Sequence, residues 1–116
     1  MSKTDVIRLR HMLDAAQKAV EFTKGRTRVD LDTDEKLSLA IVRLLEMLGE
    51  AAKAVSEETR RQAPDIVWKQ VAGTRDRLIH SYFDVDLNIV WEIVTQDLPP
   101  LVTALERLIS SLRGGV

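Results

Sequence analysis

The chain has no cysteine, few aromatic residues and no long hydrophobic run. The absence of cysteine excludes disulfides, thiolate zinc sites and cysteine nucleophiles, and it fits a reducing compartment, so we expect a cytoplasmic protein. The longest segment free of Asp, Glu, Lys and Arg is LPPLVTAL, far short of the roughly 20 apolar residues that cross a bilayer. The first residues are charged and unlike a signal peptide. We therefore expect no membrane segment and no export.

Net charge is also small, at -1 from 17 basic and 18 acidic residues. Such a balance argues against a disordered charged tail and against a protein that binds nucleic acid through bulk positive charge. A length of 116 residues is typical of one domain and is enough to bury a hydrophobic core. We predict a single domain over residues 1–116.

Apolar residues recur every three or four positions through most of the chain, which predicts helices rather than strands. A first helix should end near Gly25. A second should begin at Asp32, whose carboxylate can cap free amides while Glu35 reaches back in a capping box. Gly49 inside this second helix costs about 1 kcal/mol relative to alanine, so we expect another helix to approach its backbone closely.

The second half of the chain predicts three more helices. One runs from about Asp65 to Phe83, the next is capped by Asp86, and Asp97 caps a fifth at the DLPPL joint, because prolines are tolerated in a first helical turn. Gly114 and Gly115 end the last helix. The fold class is therefore all-α, a four- to five-helix antiparallel bundle.

The segment RDRLIHSY contains residues that could carry chemistry. On a straight helix, at about 100° per residue, Arg75 falls within an apolar stripe that includes Trp68 and Leu78. A guanidinium buried there needs a carboxylate, a backbone acceptor, water or an anionic ligand. The alternative is an arginine at the edge of the stripe that extends to solvent or pairs with an acid on another helix.

His80 lies about 140° from Arg75 on the same wheel and faces solvent. Asp76, one turn earlier, is placed to hydrogen-bond its imidazole. Arg75 and His80 therefore do not converge on a straight helix. Either the helix distorts after Gly73, or the arginine swings round, or two copies of the chain complete the site. The other histidine, His11, is most simply a surface residue.

RDRLIHSY resembles the signature of the HEPN superfamily of ribonucleases, an arginine, a polar residue and then a histidine. Tyr82, the sole tyrosine, makes it similar to the HepT type of toxin. LLEMLGEAAK, the tryptophan before the motif and FDVDLNIVWEIVTQDLPPL also resemble HepT-type segments in the same order. The likeness extends from the first helix to the fifth. Thr74 and Asp76 depart from the methionine and asparagine that are frequent at those positions.

The resemblance implies a HEPN-like homodimer that cleaves RNA without a metal or cofactor, by attack of a ribose 2′-hydroxyl on the adjacent phosphate. Arg75 and His80 would be catalytic, with Asp76 supporting. Tyr82 would contact the substrate and accept AMP from a neutralising partner, a nucleotidyltransferase antitoxin of the MntA type. Four further cations could widen the RNA-binding surface or simply be solvated: Arg60, Arg61, Lys69 and Arg77.

Two rival hypotheses fit the same residues. In one, the chain is a non-catalytic helical dimer that binds a nucleotidyltransferase or a nucleotide, and the motif serves recognition. In the other, the bundle is purely structural and Arg75 needs no anion. RNA cleavage in the presence of EDTA, and its loss in His80→Ala, separates the nuclease from both.

Overall fold

The computed structural model of the protein describes residues 3–81 and 84–114, without the side chains of residues 80, 81 and 114. Its α-helices are α1 (Lys3–Phe22), α2 (Asp30–Thr33), α3 (Glu35–Lys53), α4 (Glu57–Arg60), α5 (Trp68–Ala72), α6 (Thr74–Leu78), α7 (Leu87–Glu92) and α8 (Leu98–Gly114). A π-helical segment, Ile93–Asp97, joins α7 to α8. The two strands, β1 (Ile79–Ser81) and β2 (Asp84–Val85), form an antiparallel pair.

The three long helices form the centre of the bundle, with α1 in contact with both α3 and α8. Their buried faces follow the predicted helical spacing and are almost wholly aliphatic. The fully buried large side chains come from α1, α2, α3, α6 and the α7–α8 region: Leu9, Met12, Leu31, Ile41, Leu45, Leu48, Leu78, Val90, Ile93, Val94, Leu98 and Leu105. The predicted all-α bundle is confirmed. Within the described residues, no helix is both long and apolar enough to cross a membrane.

The end of α1 agrees with the prediction from the sequence, but the start of α3 does not. Gly25 adopts a positive φ of 74° after α1, a conformation that glycine accepts without steric cost. The predicted cap at Asp32 is wrong, because residues 30–33 form the extra helical turn α2. Asp34 caps α3 instead, and its side chain accepts a hydrogen bond from the Leu37 amide at 3.1 Å.

The predicted separation of a fourth and a fifth helix is also wrong. Asp86 does cap α7, accepting from the amides of Asn88 and Ile89, as expected. Asp97, however, begins no new helix: the chain continues from α7 through the π-helical segment into α8. The Leu98 amide donates to the Ile93 carbonyl five residues back, which is the wider π spacing.

The predicted third helix from Asp65 to Phe83 is wrong and is replaced by two short helices and a strand. Gly73 separates α5 from α6 with φ -91° and ψ 11°. A β-carbon at this position would lie 3.2 Å from the Lys69 carbonyl oxygen, a tight contact that glycine avoids. Ile79 is extended and pairs with Val85 in the antiparallel strand pair. The helical arrangement therefore ends before His80.

Two sets of contacts join neighbouring helices. The backbone of Gly49 faces the junction of α5 and α6, where an added β-carbon would lie 3.5 Å from the Val71 carbonyl oxygen. The close approach expected at Gly49 is thus present. In a second cluster, the buried Asp5 carboxylate of α1 accepts hydrogen bonds from the hydroxyls of Ser56 at 2.5 Å and Thr59 at 2.6 Å. These bonds tie α1 to α4.

Candidate active site

Arg75 lies on the single turn α6 and extends into solvent, with 59% of its side chain exposed. Of the two placements that the sequence left open, the one found is the arginine that extends to solvent and pairs with an acid on another helix. Its Nε atom is 3.8 Å from Oε2 of Glu46 on α3, a carboxylate that is 27% exposed. An ion pair of this length and exposure is weak. The guanidinium is therefore accessible to an anionic ligand.

His80 belongs to β1, two residues after the end of α6. The helix is interrupted at Gly73 and ends at Leu78, so a straight helical wheel does not describe the relation between His80 and Arg75. The helical one-turn spacing between Asp76 and His80 does not apply, because α6 ends at Leu78. Asp76 is exposed in the first turn of α6. The His80 side chain and Tyr82 lie outside the described part of the chain, so the roles of Asp76, His80 and Tyr82 stay predictions.

The four additional cations divide into two groups. Arg60 donates to the carbonyls of Val55 and Ala52 at the end of α3 and lies over the Trp68 ring, 5.8 Å from its centroid. Arg77 pairs with Asp97 through an Nη1 to Oδ2 contact of 3.3 Å. Both are structural links.

Lys69 and Arg61 are exposed, and Arg61 pairs with Glu57 on its own turn. The positive surface is therefore smaller than the four-cation surface predicted from the sequence. Arg75 itself contacts the carboxylate of Glu46 on α3.

Sequence reasoning did not identify the acidic partners of the motif arginines. Glu46 and Asp97 lie on α3 and on the π-helical segment, 29 and 20 residues from the arginines that they contact. The helical pattern could place Glu46 at the edge of the buried face of α3, but it could not show which helix packs there. For Asp97, the nearby prolines suggested a helix cap rather than an ion pair.

Two exposed apolar side chains lie on α3, the helix that carries Glu46. Leu39 is 63% exposed and Met47 is 43% exposed. On the helical wheel, Leu39 lies about 20° from Glu46 but two turns away along the axis, whereas Met47 lies about 100° from Glu46.

The sequence profile of the family described as "Ribonuclease HepT-like" matches residues 12–108, which include all of RDRLIHSY. The chain belongs to this family. The HepT-like assignment agrees with the all-α HEPN-like bundle. The family match also places α6 and β1, which carry Arg75 and His80, inside the part of the chain that HepT-like proteins share.

Several curated proteins are similar to this chain over most of its length. A probable ribonuclease HepT of Thermococcus cleftensis is 37% identical over 100 residues, covering 86% of this chain and 91% of that protein. A putative RNase of Caldanaerobacter subterraneus subsp. tengcongensis is 37% identical over 101 residues, covering 87% and 90%. A gamma-glutamylcyclotransferase and putative RNase of Methanocaldococcus jannaschii is 38% identical over 112 residues, covering 97% of this chain and 50% of that protein. No solved structure matches this HepT-like chain significantly.

Proposed function

We propose that this protein is an endoribonuclease that cleaves RNA without a metal ion, using Arg75 and His80. The observation that carries the proposal is the exposed guanidinium of Arg75, presented on a short turn that leads directly into the strand of His80, in a member of the HepT-like ribonuclease family. An imidazole titrates near neutral pH and can move protons in catalysis. An exposed guanidinium can bind phosphate.

In the proposed reaction, His80 accepts the proton of a ribose 2′-hydroxyl as that oxygen attacks the adjacent phosphorus. The bond from phosphorus to the 5′-oxygen of the next nucleotide breaks, and a second imidazole or water protonates that oxygen. The products are a 2′,3′-cyclic phosphate and a 5′-hydroxyl end. This transesterification requires no oxidant, reductant or cofactor.

Arg75 neutralises the phosphate in this scheme. Its planar guanidinium can donate two parallel hydrogen bonds to phosphate oxygens and stabilises the extra negative charge of the transition state. The long contact to Glu46 is easily exchanged for such a charge-assisted pair. A lysine at this position retains the charge but not the paired donors, so Arg75→Lys should recover only part of the activity.

We also propose that two copies of the chain form the active unit. The support is two exposed apolar side chains, Leu39 and Met47, on α3, the helix that also carries the carboxylate in contact with Arg75. Pairing this surface about a twofold axis would bring two copies of α6 close together and concentrate positive charge in one cleft. The mutation pair Leu39→Asp and Met47→Asp should give a folded monomer with little cleavage activity. Sedimentation measures the oligomeric state, and circular dichroism measures whether the variant is folded.

Neutralisation by AMP transfer to Tyr82 is the regulatory part of the proposal. The tyrosine hydroxyl would attack the α-phosphate of ATP, releasing pyrophosphate and a proton, in a reaction catalysed by a nucleotidyltransferase antitoxin. The product places a phosphate and a nucleoside two residues from His80, where they would repel and block RNA. Because Tyr82 is the only tyrosine, Tyr82→Phe should abolish AMP attachment to tyrosine while leaving some RNA cleavage.

The experiment that tests the proposed activity uses wild-type protein purified free of any partner and incubated with RNA in EDTA. Cleavage with 2′,3′-cyclic phosphate ends, lost in Arg75→Ala, supports the nuclease. Arg43→Ala is a matched control, because Arg43 is also exposed but lies on α3 outside the motif. If wild type leaves RNA intact under these conditions and binds a nucleotidyltransferase or nucleotide, the non-catalytic hypothesis is favoured instead.

A further inference from the structure

A groove of about 290 Å³ is lined by Thr74 and Arg77 of α6 but not by Arg75, which lies about 100° and 160° from them on a helical wheel. Its walls are mainly aliphatic and include Val71 and Leu101, which come from α5 and α8. Its polar lining residues are the Arg77–Asp97 ion pair, Asp65, Gln70, Thr74 and Gln96. The groove thus combines apolar walls with a few donors and acceptors, which is typical of a small-ligand site.

The prolines of DLPPL explain the shape of this groove. Pro99 and Pro100 have no amide hydrogen and would clash with carbonyls four residues earlier in a regular α-helix. The preceding turn is instead a π-helix, Ile93–Asp97. Gln96 and Asp97 lie on this widened turn and line the groove. Single π-helical turns within α-helices frequently occur at functional sites.

We infer that the groove is a binding subsite for one nucleobase of the RNA substrate. Its volume of about 290 Å³ is at the lower end of small-molecule sites, which are about 300–1,000 Å³. This size suits a single planar ring system rather than a whole peptide helix. Aliphatic walls can cover the faces of a base, while its edge meets hydrogen-bonding side chains.

The charges and polar groups of the groove favour a base over a phosphate. Its ionisable lining groups are the cation Arg77 and the two carboxylates Asp65 and Asp97, which leaves a local excess of negative charge. An anion is therefore disfavoured inside it. The amides of Gln70 and Gln96 each carry both donors and an acceptor, which match the mixed hydrogen-bonding edge of a nucleobase.

The position of the groove relates it to the proposed catalytic arginine. Thr74 and Arg77 of α6 line the groove, whereas Arg75 points to the other side of the same turn, toward Glu46. The two sides are separated by one helix, about 10 Å wide. A single strand with a phosphate at Arg75 can therefore place a neighbouring base in the groove. This inference rests on the proposed ribonuclease function and adds a source of base preference to it.

Cleavage of short RNAs that differ at one nucleotide tests the subsite. Wild type should prefer particular bases near the cleaved bond, and Gln96→Ala together with Gln70→Ala should lower kcat/KM for the preferred RNA by about 5- to 150-fold, the range expected for one good base contact. Both glutamines are exposed, so these changes should leave the fold intact. Gln62→Ala, an exposed glutamine before Pro64 and outside the groove, is the matched control.

A second variant fills the groove itself. Ala104 lines it and is only half-buried, so Ala104→Trp should occupy the space of a base and reduce base preference, whereas Ala104→Ser should not. The subsite is overturned if the wild type cleaves RNA and both variants, the double glutamine variant and Ala104→Trp, cleave with the same rate and base preference as the wild type. That result would leave the proposed nuclease activity intact.

Binding of ribonucleoside monophosphates separates this inference from the activity. In amide NMR spectra, AMP, GMP, CMP or UMP should shift signals of Gln70, Thr74 and Gln96, and Ala104→Trp should remove those shifts. If wild type cuts no RNA but these shifts occur, the proposed nuclease fails and the base subsite stands. Shifts confined to Arg75 and its neighbours, with none in the groove, would contradict the subsite.

Discussion

The guanidinium of Arg75 and the carboxylate of Glu46 form a 3.8 Å contact that joins α6 to α3 at the protein surface. Exposed ion pairs contribute about 0–1 kcal/mol to stability. This contact therefore orients the arginine but competes only weakly with other anions for it. A phosphate offers two charge-assisted hydrogen bonds in its place. Glu46 therefore acts as a weak competitor for the group that we propose binds RNA.

Removing the Glu46 charge should strengthen RNA binding. In Glu46→Gln, the competing charge and its repulsion of phosphate are lost, so KM for RNA should fall by about two- to fivefold, equivalent to no more than ~1 kcal/mol. Steady-state kinetics at low salt measure this change, because screening reduces it at high salt. Glu50→Gln is the control: Glu50 is exposed on the same helix and pairs only weakly with Lys53. Equal effects of both substitutions would argue against a specific role for Glu46.

Gly49 should accept a methyl group but not a larger side chain. A β-carbon there would be 3.5 Å from the Val71 carbonyl oxygen and 3.6 Å from that of Ala72, both ordinary contact distances. Gly49→Ala should keep cleavage activity and raise the free energy of unfolding by up to about 1 kcal/mol through helix propensity.

Gly49→Leu tests the other half of that prediction. Its branched side chain must displace the α5–α6 junction, so both unfolding free energy and activity should fall. Urea denaturation and RNA cleavage measure the two effects. Wild-type stability and activity in Gly49→Leu would show that α6 is not held against α3 at this point.

Asp5 should make stability depend on acid pH. Hydrogen bonds from the Ser56 hydroxyl, and then from Thr59, lower the pKa of this carboxyl from its ordinary value of 3.8. A carboxyl with a lowered folded-state pKa contributes its full stabilisation above the unfolded-state pKa, and that contribution is lost as pH falls through the folded-state pKa. Stability should therefore decline below about pH 4.

Asp5→Asn isolates this contribution. It should lower the unfolding free energy at pH 7 by about 1–3 kcal/mol, since hydrogen bonds to a charged group are lost, and it should flatten the acid dependence. Urea denaturation at several pH values measures both. Asp14→Asn is the control, because Asp14 on the same helix is exposed and pairs with Lys18 at the surface. An equal loss in Asp14→Asn would contradict a special role for Asp5.

Periodicity and local chemistry predicted the long elements of the fold. The apolar spacing of α1 and α3, the positive-φ glycine at Gly25 and the cap at Asp86 depend on neighbouring residues, and each is present in the structure. The close approach at Gly49 was also foreseeable, because a glycine inside a long helix has a propensity cost. These features can be predicted without knowledge of contacts between residues that are far apart in the chain.

The errors arose where tertiary contacts override local pattern. A wheel through residues 65–83 assumes a straight helix, but Gly73 allows a kink and the pairing of Ile79 with Val85 ends the helix before His80. Placing Arg75 in the middle of an apolar stripe depended on that straight wheel, and the alternative of an arginine that faces solvent and pairs with an acid on another helix is the one found. Pairing of Arg75 with Glu46 and of Arg77 with Asp97 depends on how α3, α6 and the π-helical segment meet, which single-chain spacing does not specify.

RNA cleavage by His80→Ala tests the central claim most directly. His11→Ala is its matched control, because His11 is the only other histidine and is exposed on α1. Both proteins should remain folded and of the same oligomeric state as wild type. With EDTA present, the account predicts that wild type and His11→Ala generate 2′,3′-cyclic phosphate ends while His80→Ala generates none. Cleavage by His80→Ala at the wild-type rate would contradict it.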